Sequence, residues 1–89
     1  MLVISPKDNV GVLLEDAEKG DSAVCGDISI TLADAVKFAH KAALAPIPKG
    51  ENIIKYGEVI GYALRDIAKG EWAHIHNLDD ERGREGRLS

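Results

Sequence analysis

Asp66-Ile67-Ala68-Lys69-Gly70-Glu71 runs into Trp72-Ala73-His74, and the same phrase occurs twice earlier in the chain. Asp16-Ala17-Glu18-Lys19-Gly20-Asp21 leads into Ser22-Ala23-Val24, and Pro46-Ile47-Pro48-Lys49-Gly50-Glu51 leads into Asn52-Ile53-Ile54. Each copy sets Lys-Gly and an acid after a small or branched apolar residue. Glycine accepts the positive φ that other residues resist, so it can turn the chain between two strands. The apolar residue can plug a core while lysine and acid face water. The copies are unevenly spaced, which argues against a solenoid and for one corner reused in a compact β fold.

The segments between the corners read as strands. Val10, Val12 and Leu14 alternate with Gly11 and Leu13; Ile28, Ile30 and Leu32 alternate with Asp27, Ser29 and Thr31. Ile53-Ile54-Lys55-Tyr56-Gly57 and Val59-Ile60-Gly61-Tyr62-Ala63-Leu64 are rich in β formers and are divided by Gly57-Glu58. Leu2-Val3-Ile4 is a short apolar run stopped by Ser5-Pro6, and Asp8-Asn9 reads as a turn. Thr31 to Leu44 is the exception. Its alanines favour a helix, and Thr31-Leu32-Ala33-Asp34 could open one. The reading preferred here is a short helical turn running into a strand near His40. A degenerate fourth corner over residues 34–41 is the competitor.

Eighty-nine residues make one small domain with a modest core and no room for a deep active site of its own. Fifteen acidic against eleven basic residues give a net charge of −4, which disfavours nucleic acid and anionic membranes as main partners. No apolar run approaches the length of a membrane span, and the start lacks the basic region of a signal peptide. The lone cysteine, Cys25, excludes an internal disulfide, fits a reducing cytoplasm, and reads as a small strand residue rather than a nucleophile.

Chemistry is concentrated in Gly70-Glu71-Trp72-Ala73-His74-Ile75-His76-Asn77. In a strand, Trp72, His74 and His76 would share one face. Two neighbouring imidazoles could carry a proton, hold a metal or grip a carboxylate, or could simply decorate a solvated face. A metal site of His40, His74 and His76 would require distant residues to converge. The domain is expected to span residues 1–78. Residues 79–89, charged and with three arginines, read as a mobile tail that could order against another chain.

Several pieces in order carry a resemblance: His40-Lys41, Ile54-Lys55-Tyr56-Gly57, Ile60-Gly61, Asp66-Ile67 with Gly70-Glu71, His74-Ile75-His76-Asn77, and Arg82-Gly83-Arg84. Together they resemble the small N-terminal domain of the altronate/galactarate dehydratase family, which includes sulfolactate sulfo-lyase with its separate small subunit. The resemblance implies a mostly β, SAF-type β-clip of short bent strands. It also implies β-elimination on a hydroxy acid, with hydroxide or sulfite as leaving group. The partner implied is a larger catalytic subunit that holds most of a divalent metal site, iron by preference. On the same resemblance His74, His76 and Lys41 are the expected catalytic residues, and His40, Lys55 and Asn77 would bind substrate. Where the family has glycine before the His-Lys pair, this chain has Ala39. The alternative is a non-catalytic module that binds a sugar acid or serves as an accessory piece.

Overall fold

The structure, a computed structural model, describes residues 1–74 and the backbone of residues 78–79. Its strands are β1 (Val10–Val12), β2 (Ser22–Cys25), β3 (Ile28–Thr31), β4 (Lys41–Ala43), β5 (Asn52–Lys55), β6 (Glu58–Ala63), β7 (Trp72–Ala73) and β8 (Leu78–Asp79). All pairings are antiparallel. They form a β1-β4-β7 sheet, a β2-β3 hairpin and a β5-β6-β8 sheet. The described residues contain no helix, and so none long and apolar enough to cross a membrane.

Corners set this architecture, and there are four among the described residues. The residue after each turn donates its N–H to a carbonyl three positions back: Asp21 to Glu18, His40 to Lys37, Glu51 to Pro48 and Glu71 to Ala68. The turning residues have positive φ, at +93° for Gly20, +71° for Ala39, +89° for Gly50 and +84° for Gly70. The plugs pair across the molecule, Ala17 with Val36 and Ile47 with Ile67, each pair exchanging two backbone hydrogen bonds of 2.8–2.9 Å. Carboxylates brace the same pairs: Phe38 N–H donates to Asp16 Oδ1 and Lys49 N–H to Asp66 Oδ1, both at 2.9 Å. The first pair of corners frames the β2–β3 hairpin as the second frames β5–β6. The chain is one motif used twice.

The helical turn expected within Thr31 to Leu44 is therefore absent. β3 ends at Thr31, the fourth corner follows, and β4 begins at Lys41. Alanine's helix propensity amounts to a few tenths of a kcal/mol per residue over alternatives, and packing overrides it. Burial of Val36 to 1% exposure and its two bonds to Ala17 fix the corner instead. β1 also stops earlier than the alternation predicts. Leu13, not Leu14, turns into the core, and Leu14 stays 55% exposed. Of Leu2-Val3-Ile4, Leu2 alone makes a bridge, to Val12.

Two small cores result, with the β1-β4-β7 sheet between them. Leu13, Ala23, Ile30, Leu32, Val36 and Ala42 form one, with Met1, Ala17, Leu44 and Trp72 against it. Val10, Ala43, Ile47, Ile53, Ala63, Ile67 and Ala73 form the other. The period-two pleat divides the central sheet: Ala42 and Trp72 face the first core, Ala43 and Ala73 the second. β8 takes Asp79 into a sheet; residues 80–89, the rest of the expected tail, lie outside the described residues.

Candidate functional site

The pleat brings His40 and His74 together. His40 closes the Ala39 corner and enters β4; its carbonyl accepts from Leu13 N–H at 2.9 Å. Trp72 opens β7, and its backbone N–H is fixed by Asp34 Oδ2 at 3.0 Å. Because β4 pairs with β7 in the register Ala42↔Trp72, the residues two before Ala42 and two after Trp72 fall on one face. His40 and His74 are those residues. Their ring centroids are 5.0 Å apart. The Trp72 indole completes the cluster, lying 5.1 Å from His74 and within 11° of parallel, and 5.7 Å from His40. Trp72 Nε1–H donates to His40 Nδ1 at 3.2 Å. All three residues are half-buried.

Two imidazoles at this spacing can reach the same small ligand from one side. They can donate hydrogen bonds to an anionic oxygen, or one can move a proton while the other holds its acceptor. As a metal site they are incomplete, since structural and catalytic sites need three or four protein ligands. Among the described residues no three His, Cys, Asp or Glu side chains converge to hold an ion.

The other expected residues sit elsewhere. Lys41 follows His40 and pairs with Ala73, so its Cβ leaves the sheet on the opposite face from the imidazoles. Lys55 lies at the end of β5, its Nζ 5.2 Å from the ring centroid of Tyr56. His76 and Asn77, expected as catalytic and substrate-binding residues, lie outside the described residues. Cys25 ends β2 half-buried, its Sγ 3.8 Å from Val3 O.

The hairpin tip that carries Lys55 is held from the N-terminal loop. Asp8 accepts from Gly57 N–H at 2.7 Å and from Ile4 and Ser5 N–H at 3.2 Å. Partial burial alone would raise the Asp8 carboxyl, but the backbone N–H groups of Gly57, Ser5, Ile4 and Tyr56 outweigh it and hold the group below its ordinary value of 3.8. Asn9 adds bonds to Asn52 O at 2.8 Å and from Ile54 N–H at 2.7 Å. What reads in sequence as a plain turn is a clamp.

Two contributors escape the sequence reading. Trp72 alternates with His74, which marked its face, but nothing local marks it as a hydrogen-bond partner of His40. Asp34 belongs to a different corner, and its bond to the Trp72 backbone leaves no sequence trace.

This is a small β domain of paired corners, with one imidazole stacked on an indole and a second tilted beside it at one edge of the central sheet. The chain belongs to the family described as the altronate/galactarate dehydratase SAF domain, which matches residues 1–81. It is 49% identical over 70 residues to altronate dehydratase of Escherichia coli, a match covering 79% of this chain and 14% of that protein. Altronate dehydratase of Bacillus subtilis is 42% identical over 74 residues, with 83% of this chain and 15% of that protein covered. The alpha subunit of (2R)-sulfolactate sulfo-lyase from Chromohalobacter salexigens is 28% identical over 82 residues, covering 84% of this chain and 87% of the subunit. The chain thus spans about one seventh of the two dehydratases and most of the sulfo-lyase subunit.

Proposed function

We propose that this chain is the small subunit or N-terminal domain of a cytoplasmic lyase, completing with a larger polypeptide a site for β-elimination on a hydroxy acid. The observation that carries the reading is the convergence of His40 and His74, from separate strands, beside Trp72. In the reaction a base removes the proton next to the carboxylate. The C–H electrons become the new C=C bond, and the bond to the leaving group on the next carbon breaks. Hydroxide departs from an aldarate or aldonate such as galactarate or altronate, sulfite from sulfolactate. The enol product tautomerises to a 2-oxo acid.

The negative charge that builds on the carboxylate during proton removal needs donors aimed at it. His40 and His74 are suited to that position, with His74 or His76 moving the proton. Asn77 would bind a hydroxyl. Lys41 and Lys55 would take part only by wrapping their long stems toward the ligand. A divalent metal, iron by family preference, would supply further charge stabilisation from the larger polypeptide. The two described imidazoles do not make a site for it alone.

The test is activity of the assembled protein, with the larger polypeptide supplied by co-expression. His74→Ala and His76→Ala are each expected to lower kcat by about 10²–10⁴, the span of a general acid–base group, with assembly intact by gel filtration. Full activity in both variants would remove the proposed role. Calorimetric titration of the lone chain with galactarate separates the accessory-module alternative: appreciable binding favours the module, silence the shared site.

A further inference from the structure

We infer that Trp72 is a positioning residue that fixes His40 in a single neutral tautomer, making its Nε2–H a dedicated hydrogen-bond donor to a ligand oxygen rather than a base. The indole nitrogen can only donate. Its 3.2 Å bond to His40 Nδ1 therefore requires a lone pair there, and the imidazole proton must sit on Nε2. The partner is itself immobilised: Trp72 is anchored through its backbone by Asp34 and packs against the first core. His40 is held from the other side by backbone bonds of its own N–H to Lys37 O and of its carbonyl from Leu13 N–H. Among the described residues, Trp72 is the sole side-chain hydrogen-bond partner of the His40 ring.

His74 is placed differently. It stacks flat on the same indole, a geometry that accepts either a neutral ring or an imidazolium through cation–π attraction. The two imidazoles thus have unequal tasks. His40 offers a fixed donor of the kind that recognises a carboxylate or hydroxyl oxygen, and proton movement falls to His74. This division deepens the lyase reading and rests on it for its catalytic meaning, but the tautomer can be measured without turnover.

The experiment is long-range ¹H–¹⁵N correlation NMR on the ¹⁵N-labelled chain near pH 8. The expected spectrum shows a proton-bearing Nε2 and a bare Nδ1 for His40. In Trp72→Phe, which keeps a ring over His74 and loses the N–H, the two His40 nitrogens should move toward each other as the tautomers mix. An Nδ1–H tautomer, or an even mixture in the unmodified protein, overturns the proposal whether or not the variant folds. In the assembled enzyme, His40→Gln, whose Nε2 can still donate, should retain KM within about threefold, whereas His40→Phe should raise it at least tenfold. Equal KM values for these two variants would overturn the donor role. A fixed tautomer in an assembly without eliminase activity would instead sink the lyase reading and leave the tautomer standing.

Discussion

Gly50 and Gly70 occupy equivalent corners but bear different constraints. At Gly50 an added Cβ would meet open space, so only the positive φ resists substitution. At Gly70 the same Cβ would collide with the Thr31 carbonyl oxygen and press on Ala33 N. Gly50→Ala should cost about 1–2 kcal/mol, the penalty of a left-handed L-residue. Gly70→Ala should cost clearly more, because backbone must shift. Ala39, already at φ +71°, runs the comparison in reverse. Relief of left-handed strain there exceeds glycine's added chain entropy, so Ala39→Gly should gain about 0.5–1 kcal/mol. Denaturant melts check all three, and equal losses for the two glycine variants would contradict the packing argument. Ala39 also explains why the fourth corner was hard to read. With Phe38-Ala39 where the others have Lys-Gly, the phrase loses both its marks, and alanine's helix preference fills the gap.

Among elements, the β5–β6 hairpin depends on Asp8 and Asn9. Tyr56 and Gly57 turn with φ of +55° and +79°, the pattern of a two-residue type I′ loop. A tyrosine is a poor occupant of that position, and the Asp8 bond to Gly57 N–H holds the turn from outside. Since the folded carboxyl titrates below its ordinary value, its contribution is full above that value and is lost as pH falls through the folded pKa. The stability gap between wild type and Asp8→Asn should therefore be present at pH 7 and shrink on acidification below about 4. Chemical melts across that range provide the measurement, and a gap independent of pH would remove the carboxylate from the account. Strands β1, β3, β5 and β6 could be placed from alternation and β-forming residues, within a residue or two; β4 is blurred by the alanines around it, whose helix preference suggests a turn of helix running into it. The clamp could not be placed, because an Asp-Asn pair after a proline carries the same composition whether it turns freely or grips a hairpin distant in sequence.

At the scale of the molecule, the corners put two cores on either side of one thin sheet and leave the imidazoles at its edge. The meeting of His40 with His74 was not written in either local sequence; it follows from the β4–β7 register, a long-range pairing that no short pattern encodes. What could be read was that Trp72 and His74 share a face, because alternation is local. The edge position leaves the cluster half-buried, with one side supplied by this chain. On the proposed reading, the larger polypeptide closes a cleft over that exposed side; the chain itself matches about one seventh of the two dehydratases and most of the sulfo-lyase subunit.

The most direct measurement is eliminase turnover of the larger polypeptide with and without this chain, on galactarate, altronate and sulfolactate. The account predicts negligible turnover from either part alone and activity on mixing that saturates at a one-to-one ratio. Full turnover by the larger polypeptide in the absence of this chain would contradict a shared site.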